Sequence, residues 1–143
     1  MSRIERFAHV NYSQKQMFDL VNDIDHYPAF LPGCLSAKVL SQNDTEIVAS
    51  LEVGKGPVKQ AFTTKNLLSQ ADGIEMTLVS GPFKKLHGIW KFQALSETTC
   101  KISLSIDFEL SGMLKFAFGG VFSQVANTMV EAFSQRAKVV YGE

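Results

Sequence analysis

The chain has 143 residues, 45% hydrophobic and 20% charged, and its 14 basic side chains balance its 14 acidic ones. That length suits one domain, residues 1–143, able to bury a core without staples. A net charge of zero supplies no global field to hold a polyanion, so general nucleic-acid affinity is unsupported and general DNA binding is not expected, although a local basic patch is compatible with a zero sum.

Cys34 and Cys100 form neither a disulfide framework nor a CxxC pair. The opening MSRIERFAHV lacks the apolar stretch of a secretory leader, and no apolar run approaches the ~18 residues that span a bilayer. The expected setting is a reducing cytoplasm, with peripheral contact at the inner membrane left open.

Residues 3–10 read as a first strand. In YSQKQMFDLVNDI, Ser13 is an N-cap and Gln16, three residues on, completes a capping box. Tyr12 can staple onto Met17, while Met17, Leu20, Val21 and Ile24 form one helical face. HYPAFLPGC follows; Asp25 is expected to cap a second, short helix that tolerates Pro28 in its first turn and stops at Pro32-Gly33.

From Cys34 the period becomes two. Leu35, Ala37 and Val39 alternate with Ser36 and Lys38. After the turn SQND, Ile47, Ala49, Leu51 and Val53 share a face; GKGP (54–57) turns again. Phe62 and Leu68 mark the inner face of 58–68, and SQADG (69–73) leads into Ile74, Met76 and Leu78. Gly81-Pro82 breaks that strand, and Leu86, Trp90 and Phe92 alternate along the next. The last strand is the cleanest, with Cys100, Ile102, Leu104, Ile106, Phe108 and Leu110 on one face. Short connections favour an antiparallel meander with one wet face.

A long helix is expected over roughly Met113 to Tyr141, about 43 Å at full length. Phe118, Phe122, Val125, Met129, Phe133 and Val140 make its apolar stripe, and Gly119-Gly120 marks a kink or a late start. The fold class is therefore α+β: a curved seven-stranded antiparallel sheet wrapped on a long C-terminal helix, with two short helices after strand 1. Such a helix-grip need not close tightly, and any gap becomes a pocket.

Two segments carry a resemblance. YPAFLPGC (27–34) and GPFKKLHGIWKF (81–92) resemble the signature stretches of the START-like (Bet v1-like) coenzyme Q-binding protein family, and its bacterial branch, the ribosome association toxin family. Related sequences also carry the older description oligoketide cyclase or lipid transport protein. FSQVANTMVEAFSQRAKVVYG near the C-terminus fits as well. Where many relatives place Trp before the Cys, this chain has Gly33, as in the bacterial branch. The resemblance implies a cavity between sheet and helix and non-enzymatic binding of ubiquinone or a related isoprenoid lipid, supporting respiration. For the bacterial branch it implies association with the large ribosomal subunit that blocks subunit joining. A polyketide cyclase-like enzyme is the third reading.

The residues leave each of these beside a plainer alternative. Either Tyr27, Phe30 and Leu31 plug one end of the core, or Phe30, Leu31 and Pro32 form a lip of the cavity mouth. Phe83 is expected to cap the cavity at that same end. Lys84 and Lys85 are either solvated loop charges or contacts to lipid headgroups or ribosomal RNA. Phe62, Trp90, Phe92, Phe108, Phe122, Val125 and Met129 are core or ligand wall; apolar walls suit a prenyl tail, whose burial contributes ~0.8 kcal/mol per CH₂. MLKFAFGGVF (113–122) is a buried helix start or a surface that dips transiently into a membrane.

Catalytic signals are thin. His9, His26 and His87 stand apart in sequence, and zinc-protease, P-loop, dinucleotide and nucleophile-elbow motifs are missing. Asp25, His26 and Cys34 could meet around the short helix. A cyclase would need an acid–base group in its cavity, and the inward faces hold almost none. No catalytic residue, metal site or covalent cofactor is therefore assigned.

Overall fold

The computed structural model describes residues 2–69 and 72–142. Strand β1 (Ser2–Val10) leads into helix α1 (Gln14–Val21) and a 3-10 helix (Ile24–Ala29). Six strands follow: β2 (Cys34–Gln42), β3 (Glu46–Lys55), β4 (Val58–Ser69), β5 (Gly73–Ser80), β6 (Phe83–Ala94) and β7 (Cys100–Leu110). A short α2 (Leu114–Ala117) and the long α3 (Gly119–Tyr141) complete the order. The expected turn at 69–73 lies partly outside the described residues.

The seven strands form one antiparallel sheet in the order β1-β7-β6-β5-β4-β3-β2. It is a meander whose first strand returns to pair with the last, Ser2 opposite Phe108 and Val10 opposite Cys100. Along β7 buried and half-buried residues alternate without a break, so one face meets the core and the other meets water. The buried stripe of α3 (Phe122, Val125, Ala126, Met129, Val130, Phe133, Ala137) lies on the inner face.

The capping box at α1 is complete. The Gln16 backbone N–H donates to Ser13 Oγ at 3.1 Å, and the Ser13 N–H donates to Gln16 Oε1 at 2.8 Å. The expected long helix is interrupted just before its glycines: Phe118 separates α2 from α3, and Gly119-Gly120 open α3.

Three local expectations need correcting. Val140, expected on the apolar stripe of the long helix, is exposed near its end, where the buried stripe stops at Ala137. Asp25 does not cap the short helix; its carboxylate accepts from the Val39 N–H at 3.2 Å and ties the helix to β2 instead. Leu35 does not share a face with Ala37 and Val39. A β-bulge between Cys34 and Ser36 shifts the register, burying Cys34 and leaving Leu35 exposed.

Candidate functional site

Two aromatic clusters sit under α3. Towards its start, Phe122 meets Phe108, Phe83 and Phe62 at ring-centre distances of 4.7, 4.9 and 5.9 Å. Phe118 adds to this group beside Phe83. Further along, Phe133 meets Tyr27, Phe30 and Trp90 at 5.2, 5.2 and 5.4 Å, with Phe92 stacked beyond the tryptophan. Edge-to-face pairs of this kind add ~0.5–1.5 kcal/mol each beyond area burial.

An apolar cavity of about 60 Å³ lies where Val125, Ala126 and Met129 of α3 face the sheet. Its other walls include Ile24, Tyr27 and Leu31 from the segment after α1, and Leu51, Phe62, Met76, Leu86 and Ile106 from the sheet. An engineered apolar cavity of about 150 Å³ takes a benzene ring. This one is under half that size, so a quinone ring enters only if the walls move.

The side chains named from sequence divide by position. Leu31, Phe62, Phe122, Val125 and Met129 stand at the cavity wall. Phe83 and Phe108 belong to the first aromatic cluster, Trp90 and Phe92 to the second, and all four lie outside the wall. Phe30 turns to Phe133 and carries the Arg136 guanidinium over its ring at 5.1 Å. Pro32 is exposed. Lys84 and Lys85 are exposed at the start of β6, and Lys84 borders a surface trough with Lys115. The segment 113–122 is split: Phe118 is buried, while Met113 and Phe116 are exposed.

One part of the wall is not singled out by sequence reasoning. Thr64 and Asn66 are buried on the inner face of β4, and both line the cavity. The Thr64 hydroxyl donates to Asn66 Oδ1 at 3.0 Å, and no other protein partner of the Asn66 side chain occurs among the described residues. The signal was available: inward positions 62, 64, 66 and 68 read Phe, Thr, Asn, Leu, two polar residues where the period demands apolar ones.

The two thiols and the Tyr27 phenol at the cavity wall are held in their neutral forms. Burial pushes both Cys34 and Cys100 up to about 11. Cys34 Sγ donates weakly to the Ser36 carbonyl at 3.6 Å, whereas His26 Nδ1 pairs with Asp23 Oδ1 at 2.8 Å. The three groups Asp25, His26 and Cys34 thus have separate partners. Burial raises the Tyr27 phenol, which donates to the Val21 carbonyl. Among the described residues no group of three or more His, Cys, Asp or Glu side chains is placed to hold a metal ion, and no helix is long and apolar enough to cross a membrane.

The fold and cavity define a helix-grip protein, and residues 10–134 match the family described as polyketide cyclase / dehydrase and lipid transport. The chain belongs to that START-like family. Within it, the chain is 47% identical over 142 residues to the ribosome association toxin RatA of Pseudomonas aeruginosa, covering 99% of both chains. The identity to the protein of the same name from Vibrio cholerae is 47% over 144 residues, the whole of both chains. More distant is the coenzyme Q-binding protein COQ10 homolog B, mitochondrial, of Xenopus laevis: 31% identity, covering 93% of this chain and 57% of that one. Among solved structures, the Zhui aromatase/cyclase of Streptomyces superposes with a TM-score of 0.82 at 16% identity, covering 96% of this chain and 93% of that one. An 18 kDa protein of Caulobacter crescentus superposes at 0.76 with 25% identity over the whole of both. These neighbours share the curved sheet and C-terminal helix.

Proposed function

We propose that this chain acts at the ribosome, associating with the large subunit and hindering subunit joining. The observation that carries this reading is the 47% identity to the two proteins named ribosome association toxin, over 99–100% of their length. The fold persists at 16% identity in the aromatase/cyclase, so packing alone does not require so much shared sequence. This reading puts the chain in the cytoplasm. It is tested by sedimenting cell extract through a sucrose gradient. Co-migration with the large subunit, and accumulation of free subunits on overexpression, are expected. Migration only at the top of the gradient, with unchanged subunit profiles, overturns it.

A second reading concerns the interior and is favoured by the cavity. An apolar space holding one polar pair suits a small hydrophobic molecule, such as the ring of an isoprenoid quinone, oriented by the Asn66 amide. The coenzyme Q-binding relative is in keeping with this at a distance. Entry of a ring requires displacement of α3 from the sheet. Mass spectrometry of lipid extracts from purified protein, followed by quinone titration, tests it; no co-purifying lipid and no binding would count against it. The two readings concern different surfaces and are compatible. A cyclase has less support, because the polar groups at the wall are Thr64, Asn66 and an engaged Tyr27.

A further inference from the structure

Resting on the ribosome reading, we infer that the outer face of β1, β7 and β6 is a docking surface for exposed single-stranded RNA bases, with Phe7 as the stacking platform and Lys91 and Lys101 as phosphate contacts. The strand register sets two adjacent rows across this face. One runs Phe7, Ser103, Lys91, and the next runs His9, Lys101, Gln93. All six side chains point away from the core, and none carries a negative charge.

Phe7 is 62% exposed on a strand whose apolar partners face inward, a position where packing does not call for an aromatic ring. Lys101 Nζ lies 4.6 Å from the centre of that ring, and His9 meets its edge. A base stacking on Phe7 would displace the ammonium towards the flanking phosphate, where it gains a stronger partner. Neither Lys91 nor Lys101 forms an ion pair among the described residues. The acids along the neighbouring rows are engaged by partners other than the two lysines. Arg3 pairs with both Glu5 and Asp107, His87 with Glu75, and Gln14 with Asp72. Positive charge is local to one trough, whose lining carries Arg3, Arg6, Lys91 and Lys101 against a single acid, Glu5. This trough of about 530 Å³ also contains Phe7 and Ser103.

The chemistry favours unpaired RNA. An open sheet face accepts splayed bases on an aromatic ring, while lysines track the backbone. A bilayer would call for a cluster of exposed apolar side chains, and this face presents one exposed ring, with the half-buried Ile89, among polar donors.

The test compares wild type with two variants of equal charge change. Lys91→Glu/Lys101→Glu alters the face, and Lys55→Glu/Lys59→Glu alters the distant β3–β4 hairpin. Phe7→Ser is made separately, and thermal melts check that all three are folded. Binding to a fluorescein-labelled single-stranded RNA oligonucleotide is followed by anisotropy across a salt series, and co-sedimentation with purified large subunits is run alongside. Wild type and the hairpin variant are expected to bind RNA alike. The face variant and Phe7→Ser should each lose roughly tenfold or more, and the face variant's salt slope should fall by about 1.4, two contacts at ~0.7 each. Equal RNA binding by wild type and face variant, or none by wild type, overturns the proposal. If the face variant loses the subunit although wild type never binds RNA, the partner is a ribosomal protein and the proposal is again overturned. If wild type binds RNA through this face but does not co-sediment, the face stands and the ribosome reading falls.

Discussion

Gly33 lies directly under Val125: a Cβ built on the glycine would stand 2.4 Å from Val125 Cγ2. The glycine also holds a φ of 87°, a region that L side chains rarely adopt. Its carbonyl accepts from the Gly54 N–H at 2.9 Å, which pins the loop to β3. The long helix thus rests on this loop with no room for a side chain, at the turn of α3 that walls the cavity.

Gly33→Ala is therefore expected to lift α3 rather than fill a void. The strain and overpacking should lower stability by roughly 1–3 kcal/mol. A lifted helix also enlarges the cavity, so uptake of a small aromatic probe should rise while the melting temperature falls. Thermal melts with and without indole read both effects; a fall in stability with no change in probe binding would show that the contact does not control the cavity.

Met129→Ala opens the same space without touching the loop. Truncating a methionine in a packed core costs roughly 2–5 kcal/mol, much of it from the cavity left behind. Benzene or indole should then restore part of the lost melting temperature, as ligands that bind only the folded state do. No stabilisation by either probe would mean the walls collapse into the vacated volume.

Thr64→Val leaves Asn66 Oδ1 without its donor in an apolar wall. An unsatisfied buried acceptor costs roughly 1–3 kcal/mol, whereas replacing both partners by apolar groups is nearly neutral or stabilising. Urea unfolding should rank Thr64→Val below wild type, and Thr64→Val/Asn66→Leu at or above it. If the Asn66 amide orients a quinone ring, quinone binding should be weaker in the double variant than in wild type.

The thiols predict a loss of stability in alkali. Unfolded cysteines release their protons near their ordinary value of 9.0, while folded Cys34 and Cys100 hold theirs to about 11. The unfolded state then binds fewer protons, so stability falls as pH rises from about 9 to about 11 and is unaffected below that window. Tyr27, raised by burial, acts in the same direction at higher pH. Urea midpoints measured from about pH 8 to about pH 11 should decline, and less steeply in Cys34→Ala/Cys100→Ala; equal slopes would remove the thiols from the account.

Much of the architecture is legible in the sequence wherever a local signal and the tertiary demand coincide. Ser13 and Gln16 announce the start of α1, and the alternation from Cys100 to Leu110 announces β7, because each encodes its own period. Leu35 is misread because a bulge breaks the period at that residue, and nothing in CLSAKV marks the insertion. The candidate site is legible only as a set of inward faces. Phe62, Phe122, Val125 and Met129 reach the cavity and Trp90, Phe92, Phe83 and Phe108 do not, because a strand's period tells which side a residue faces, not where along the sheet the helix stands off.

The pairing of β1 with β7 has a consequence for biosynthesis. The ladder that begins at Ser2 cannot close until Phe108 has been made, so the first strand waits through the synthesis of all six other strands with its backbone groups unmatched. Nascent fragments ending before β7 thus expose a bare edge to other chains, and protection by a chaperone matters most at that stage.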